Sequence, residues 1–360
     1  MHAYLAKKIV IPGQHKLQCV EWRHEEGWMA VGGDDGLLKI IRVNDSSSSM
    51  DARGRVDHIG NQTLLGHNGR VLHLAWNNMY RKLASADENG AIIVWTLEPN
   101  TNKFEEEMIN MSDHGPVGDV KWSHDGRKVC IVYGDGQIVV GTVDGKRLWA
   151  KSMGISLQHL VWSPDGSNIV IVNTDGIISV FDMLGNGVKE LDHDGASDIV
   201  DLCWHGCGSS DRHNFVVAHS SGDLYFRHDL NNQGTSRIDS GITIEACKWN
   251  KDGKILAVCG VLNEMDPIEP YEDTSVVNFY NHDGTYLHSV KVPTSECLYD
   301  IVWDVSGKLL IAFENCVFFA NTHTPASWTS VGNTMIYVSS DVSTRSIFHI
   351  WYSLIPNFMC

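Results

Sequence analysis

Eighteen histidines and 44 carboxylates are ample material for a hydrolase or a metal site, so their placement comes first. The histidines are densest at Asp192-His193-Asp194 and at His213, His219 and His228. None of them forms the H-E-x-x-H pair that holds zinc on one helical face. The nine cysteines include no CxxC, and Cys203 with Cys207 has no second pair to complete four tetrahedral ligands. Several sit in strand-like runs and read as small buried hydrophobes in a reducing compartment. A serine nucleophile would need a strained elbow such as G-x-S-x-G, which does not occur. Phosphate-cradling glycine loops are missing too. What remains is acidic: Glu264, Asp266, Glu269, Glu272 and Asp273 crowd one loop. It lacks the D-x-[DN]-x-[DN]-G frame of a calcium site, so it reads as a solvated insertion or as a docking site for a basic partner segment. Glu105-Glu106-Glu107 reads as a solvated strand edge. The chain is therefore expected not to be an enzyme, with no catalytic residues, no cofactor and no metal.

Composition narrows the partners. Of 360 residues, 43% are hydrophobic and 20% charged, which predicts a folded chain. The formal net charge of −16 argues against a nucleic-acid binder, which needs a basic face to neutralise phosphates. It also disfavours a protein held mainly by anionic lipid. The N-terminus is interrupted by Lys7 and Lys8 and has no small-residue cleavage site, so it does not read as a signal peptide. No stretch approaches the roughly 18 apolar residues of a membrane span, and the topology reads as cytosolic.

The elements that must carry any site are set by a repeat. Trp22, Trp76, Trp122, Trp162, Trp204, Trp249 and Trp303 recur at intervals of 40 to 54 residues. The residue two before each is apolar (Val20, Leu74, Val120, Leu160, Leu202, Cys247, Ile301), while the residue one before is mixed. That alternation is a strand with one better-buried face. Gly36, Gly90, Gly136 and Gly176 each follow their Trp by 14 residues, in Asp-Gly or Asn-Gly pairs that mark hairpin turns. A period near 40–45 with these marks is the signature of WD repeats, so seven four-stranded blades are expected around a channel. Truncating one buried Trp costs about 3–5 kcal/mol, a large part of a domain's whole stability, so seven in register read as scaffold. His67, Ser85 and Trp95 fall where such repeats set a buried hydrogen-bond chain, with Asp87 or Asn89 as its acidic or amide member. They read as a structural pin.

A ring must close. Residues 4–11 are β-like, end at Pro12-Gly13, and are expected to form the outer strand of blade seven against Cys316–Ala320. The propeller would then occupy residues 1–326. Thr334–Val338 and Ile347–Tyr352 look like further strands, so residues 327–360 read as the start of a second, incomplete propeller.

The blades go beyond a generic pattern. Lys16-Leu17-Gln18-Cys19-Val20, Gly32-Gly33-Asp34-Asp35-Gly36-Leu37-Leu38-Lys39 and Asp87-Glu88-Asn89-Gly90 are not consensus residues of WD repeats at large. With Glu106-Glu107-Met108-Ile109-Asn110 and Val129-Cys130-Ile131-Val132-Tyr133, they resemble the N-terminal propeller of the WD-repeat protein 35 family. Those are subunits of intraflagellar transport complex A, similar in build to the tandem-propeller subunits of coatomer. The resemblance is strong over residues 1–180 and colinear to about 340. It implies a scaffold in retrograde ciliary transport and ciliary entry of membrane cargo, localised to cilium and cytoplasm. The implied partners are the other complex A subunits, and a coatomer-like alternative is the binding of basic sorting tails of membrane cargo. A catalytic channel would need converging ligands at repeated positions, and the sequence suggests none.

Overall fold

Alternating apolar residues separated by Asp-Gly and Asn-Gly turns give antiparallel strands with short links, and the computed structural model is all-β. It describes every residue except 12–14, 24–26, 43–60, 102, 192–197, 205–214, 228–234, 263–274, 295, 305, 324–326, 332–333, 339–349 and 352–360; of residues 327–360 only the strand backbone is described. Among the described residues eight sheets form, seven of four strands and one of three. The seven make a propeller. In blades one to six the chain runs through four successive antiparallel strands, as in Val71–Asn77, Lys82–Asp87, Ala91–Glu98 and Lys103–Met111 of blade two. The apolar faces pack between blades, and the core is a chain of clusters each shared by neighbouring blades.

Blade seven is composite. Leu298–Trp303, Lys308–Phe313 and Cys316–His323 come from the end of the ring, and the N-terminal strand His2–Val10 pairs with the third of them. Ile9 lies opposite Val317 and Val10 opposite Cys316. The backbone N–H groups of Ile11 and Leu17 then donate to the Asn315 and Glu314 carbonyls at 2.9 and 2.7 Å. Trp22 of blade one meets Phe319 of blade seven edge-on at 5.5 Å. Joining the two ends of the ring inside one sheet removes the open seam through which it would fray.

The fourth strand of blade one is short, Asn61–Thr63. The inner-strand tryptophans are also not equally buried: Trp122 and Trp204 are only half-buried. Beyond the ring, Ser327–Val331, Thr334–Val338 and Ile350–Trp351 form the three-stranded sheet.

Candidate functional site

The turn glycines show why the repeat needs its second mark. Gly36, Gly90, Gly136 and Gly176 have φ of 71, 85, 88 and 78°, where a side chain is strained. The turns also abut the next blade, since a Cβ on Gly136 would lie 2.5 Å from the Ile155 carbonyl oxygen. The indoles bridge blades as well. Trp122, Trp162 and Trp303 donate through Nε1 to the carbonyls of Ala75, Lys121 and Lys248 at 3.1, 3.0 and 2.9 Å. Each acceptor is the residue just before a preceding repeat Trp.

In blade two, His67, Ser85 and Trp95 meet, and Asp87 is the fourth member. Trp95 Nε1 donates to Ser85 Oγ at 2.8 Å, Ser85 Oγ lies 2.7 Å from His67 Nε2, and His67 Nδ1 lies 2.9 Å from Asp87 Oδ2. A carboxylate only accepts, so Nδ1 carries the proton and Nε2 accepts from the serine. Burial lowers the His67 pKa despite Asp87, which keeps the ring neutral. Asp87 Oδ1 also accepts the N–H groups of Asn89 and Ala91 at 3.0 and 2.9 Å, fixing the turn around Gly90. Nothing in this chain is left free to attack a substrate. It ties the segment leading into blade two to that blade's second strand, third strand and turn.

The channel holds what sequence reading missed. Every inner strand slips register between the fifth and third residue before its Trp, from Leu17/Cys19 in blade one to Leu298/Asp300 in blade seven. These bulges place the third residue before each Trp beside the next blade: Cys19, His73, Asp119, His159, Asp201, Ala246 and Asp300. Asp119 accepts the Leu160 N–H at 3.1 Å, Asp201 that of Cys247 at 3.1 Å, and Asp300 that of Val20 at 3.4 Å. Each also caps the N–H of the residue that follows it at 2.8 Å. Cys19 Sγ reaches the Val71 carbonyl at 3.4 Å. So titratable groups do converge at repeated positions, contrary to the sequence reading. The signal was available at a fixed offset from each Trp, but only the two nearer offsets looked informative.

Burial sets the charge states of this ring. It pushes the Glu21 carboxyl up to about 7, with Lys121 opposing and Asp300 adding to the rise. It lowers the His73 imidazole to about 4. Burial alone would lower the Lys248 ammonium, but Asp201, 3.0 Å away, and Asp300 hold it well above its ordinary value. Lys121 is likewise held up by Asp119 at 3.2 Å. Burial drives the Cys19 and Cys259 thiols far up, so neither is a thiolate nucleophile at neutral pH. The aspartates spend their oxygens on backbone N–H groups, and Asp119 and Asp201 on lysines as well, which is stitching between blades rather than a reactive centre. Among the described residues no cluster of His, Cys, Asp and Glu is placed to hold a metal ion. Glu264, Asp266, Glu269, Glu272 and Asp273 lie outside the described residues.

A family model described as the WDR35/TULP4 N-terminal propeller matches residues 1–323. The chain belongs to that family. It is 36% identical over 352 residues to human WD repeat-containing protein 35, covering 94% of this chain and 29% of the relative. Mouse Tubby-related protein 4 is 27% identical over 328 residues, covering 81% of this chain and 21% of the relative. The chain thus spans less than a third of the length of these relatives. The solved propeller domain of Myceliophteria thermophila Cps50 (Swd1) superposes with a TM-score of 0.68 at 13% identity, covering 89% of this chain and all of that one, a likeness of fold alone.

Proposed function

We propose that this chain is a non-catalytic protein-interaction scaffold of intraflagellar transport complex A, acting in the cilium and cytoplasm in retrograde transport and in the entry of membrane cargo. The observation that carries the reading is the family match across the whole ring, joined to strong identity with WD repeat-containing protein 35. The geometry supports a scaffold in a second way. A closed ring whose channel charges are committed between blades is a rigid platform, and variable loops at the blade ends are free to contact partners. The sheet of Ser327–Val331, Thr334–Val338 and Ile350–Trp351 would suit the opening of a second propeller in a longer tandem-propeller subunit. The test is a pull-down from ciliated cells with this chain and, in parallel, a full-length relative. Recovery of complex A subunits by both supports the reading; recovery by the relative alone removes this propeller from the contact.

The net charge of −16 favours a second reading, a coatomer-like platform for basic sorting tails. Glu264, Asp266, Glu269, Glu272 and Asp273 would supply the acidic face. Binding of lysine-rich peptides should then weaken with salt. Unchanged binding after neutralising Glu269, Glu272 and Asp273 would discard the loop.

A further inference from the structure

The gap between blades two and three differs from its neighbours. Following the strand register outward from each repeat Trp leads, two strands on, to Ile41, Trp95, Gly141, Phe181, Arg227, Tyr280 and Ala320. Five of these positions carry a large side chain. Ala320 lies in a buried cluster that also holds Phe279, Trp303 and Phe318. At Gly141 nothing among the described residues fills the space. The intervening residue is Val129, and the facing residue of blade two is Ala84. The result is a cavity of about 640 Å³ between the two blades, and it explains why Trp122 is only half-buried.

The walls are apolar and adaptable. Met108 and Val94 line the blade-two side, and Met108 rests on Gly145, where a Cβ would lie 2.3 Å from its methyl. Ile109 and Met111 line it from the outer strand of blade two and are 46% and 67% exposed. Methionines re-pack easily, which suits a site that opens for a guest. The mouth is charged on one side. Arg147 lies directly across the strand pair from Gly141, is exposed, and has no described carboxylate within ion-pair distance. Asp113 lies at the opposite end, beside His114, which is paired to Asp135 at 2.7 Å.

We propose that this inter-blade cavity docks an extended segment of a partner protein in which a large aromatic side chain stands next to a carboxylate. The aromatic group takes the place that Trp95, Phe181 and Tyr280 fill in the sibling blades, and the carboxylate meets the open Arg147 guanidinium. The proposal rests on the scaffold reading but not on its ciliary setting, because the test reads the cavity alone.

The test uses the 360-residue chain and fluorescein-labelled octapeptides in a Gly/Ser host, carrying a central Trp-Glu, Ala-Glu or Trp-Lys. Saturable anisotropy is expected for Trp-Glu, with at least about tenfold weaker binding for the other two. Gly141→Phe, at a position with ordinary φ, where a new Cβ would meet the Lys146 carbonyl oxygen at 3.3 Å and Val129 Cγ1 at 3.9 Å, should raise the melting temperature and lower Trp-Glu binding at least about tenfold. Arg147→Glu should leave the melting temperature unchanged and reverse the preference between Trp-Glu and Trp-Lys, which keeps the test decisive if Gly141→Phe misfolds. No saturable Trp-Glu binding at millimolar peptide, or binding unaltered in a folded Gly141→Phe, overturns the proposal. So does a concentration-dependent dimer, seen by sedimentation, that Gly141→Phe abolishes, since the occupant would then be a second copy.

Discussion

The channel makes a sharp prediction about Glu21. Its carboxyl is raised from 4.5 to about 7, chiefly by burial. The folded state therefore keeps a proton that the unfolded chain releases above about pH 4.5. The contribution of Glu21 is fully present below that pH and is lost as pH rises through 7. At about 1.36 kcal/mol per pH unit the shift amounts to about 3 kcal/mol, reduced to about 2 by solvent screening at this half-buried side chain. His73 has the opposite sign. Its pKa falls to about 4 on folding, so its contribution is present above about 6.5 and is lost as pH drops toward 4. The two slopes oppose each other across the interval they share. Glu21→Gln leaves a neutral group at every pH. The variant should match the wild type at pH 4.5 and exceed it by about 2 kcal/mol at pH 7.5, with stability now climbing steadily with pH. Urea denaturation followed by tryptophan fluorescence at half-unit pH steps measures the difference, and subtracting the curves cancels the titrating groups that are not coupled to Glu21. Parallel curves from pH 4 to 8 would refute the argument that burial in the channel sets this carboxyl.

Further perturbations address the other links between blades. Ser85→Ala removes the acceptor of Trp95 Nε1 and the partner of His67 Nε2, leaving both buried and unpaired, and should cost about 2–3 kcal/mol by chemical denaturation. Asp87→Asn keeps the turn acceptors but not the carboxylate at His67, and should cost less, about 1 kcal/mol by the same assay. Gly136→Ala forces a Cβ against the Ile155 carbonyl at φ 88° and should lower stability by more than about 1 kcal/mol, whereas Gly154→Ala, with open space around its Cβ but a φ of 70°, should cost only about 1. Deleting residues 1–10 unpairs the outer edge of blade seven and should shift size-exclusion elution toward strand-exchanged or aggregated species, with a lower melting temperature.

The number of blades was legible in the sequence because each blade carries one such Trp on its inner strand. An indole on an inner strand with an apolar residue two before it, in all seven blades, and an Asp-Gly or Asn-Gly turn 14 after it, in the first four, are local demands readable along the chain. The outer-strand role of residues near Tyr4–Ile11 could be reasoned from the need to close the ring. The choice between Asp87 and Asn89 could not, because both reach the same turn and only the fold shows which carboxyl oxygen faces His67. The bulges that aim Asp119, Asp201 and Asp300 at the next blade were invisible, since a bulge is a relation between paired strands rather than a residue type. The hollow beside Gly141 was likewise hidden. A glycine in a strand says little until the register sets it beside Val129 and opposite Ala84, where three small side chains from separate strands add their missing volumes. Repeating local preferences thus dictated the wheel, while pairing across strands and packing across blades decided where it is charged and where it is empty.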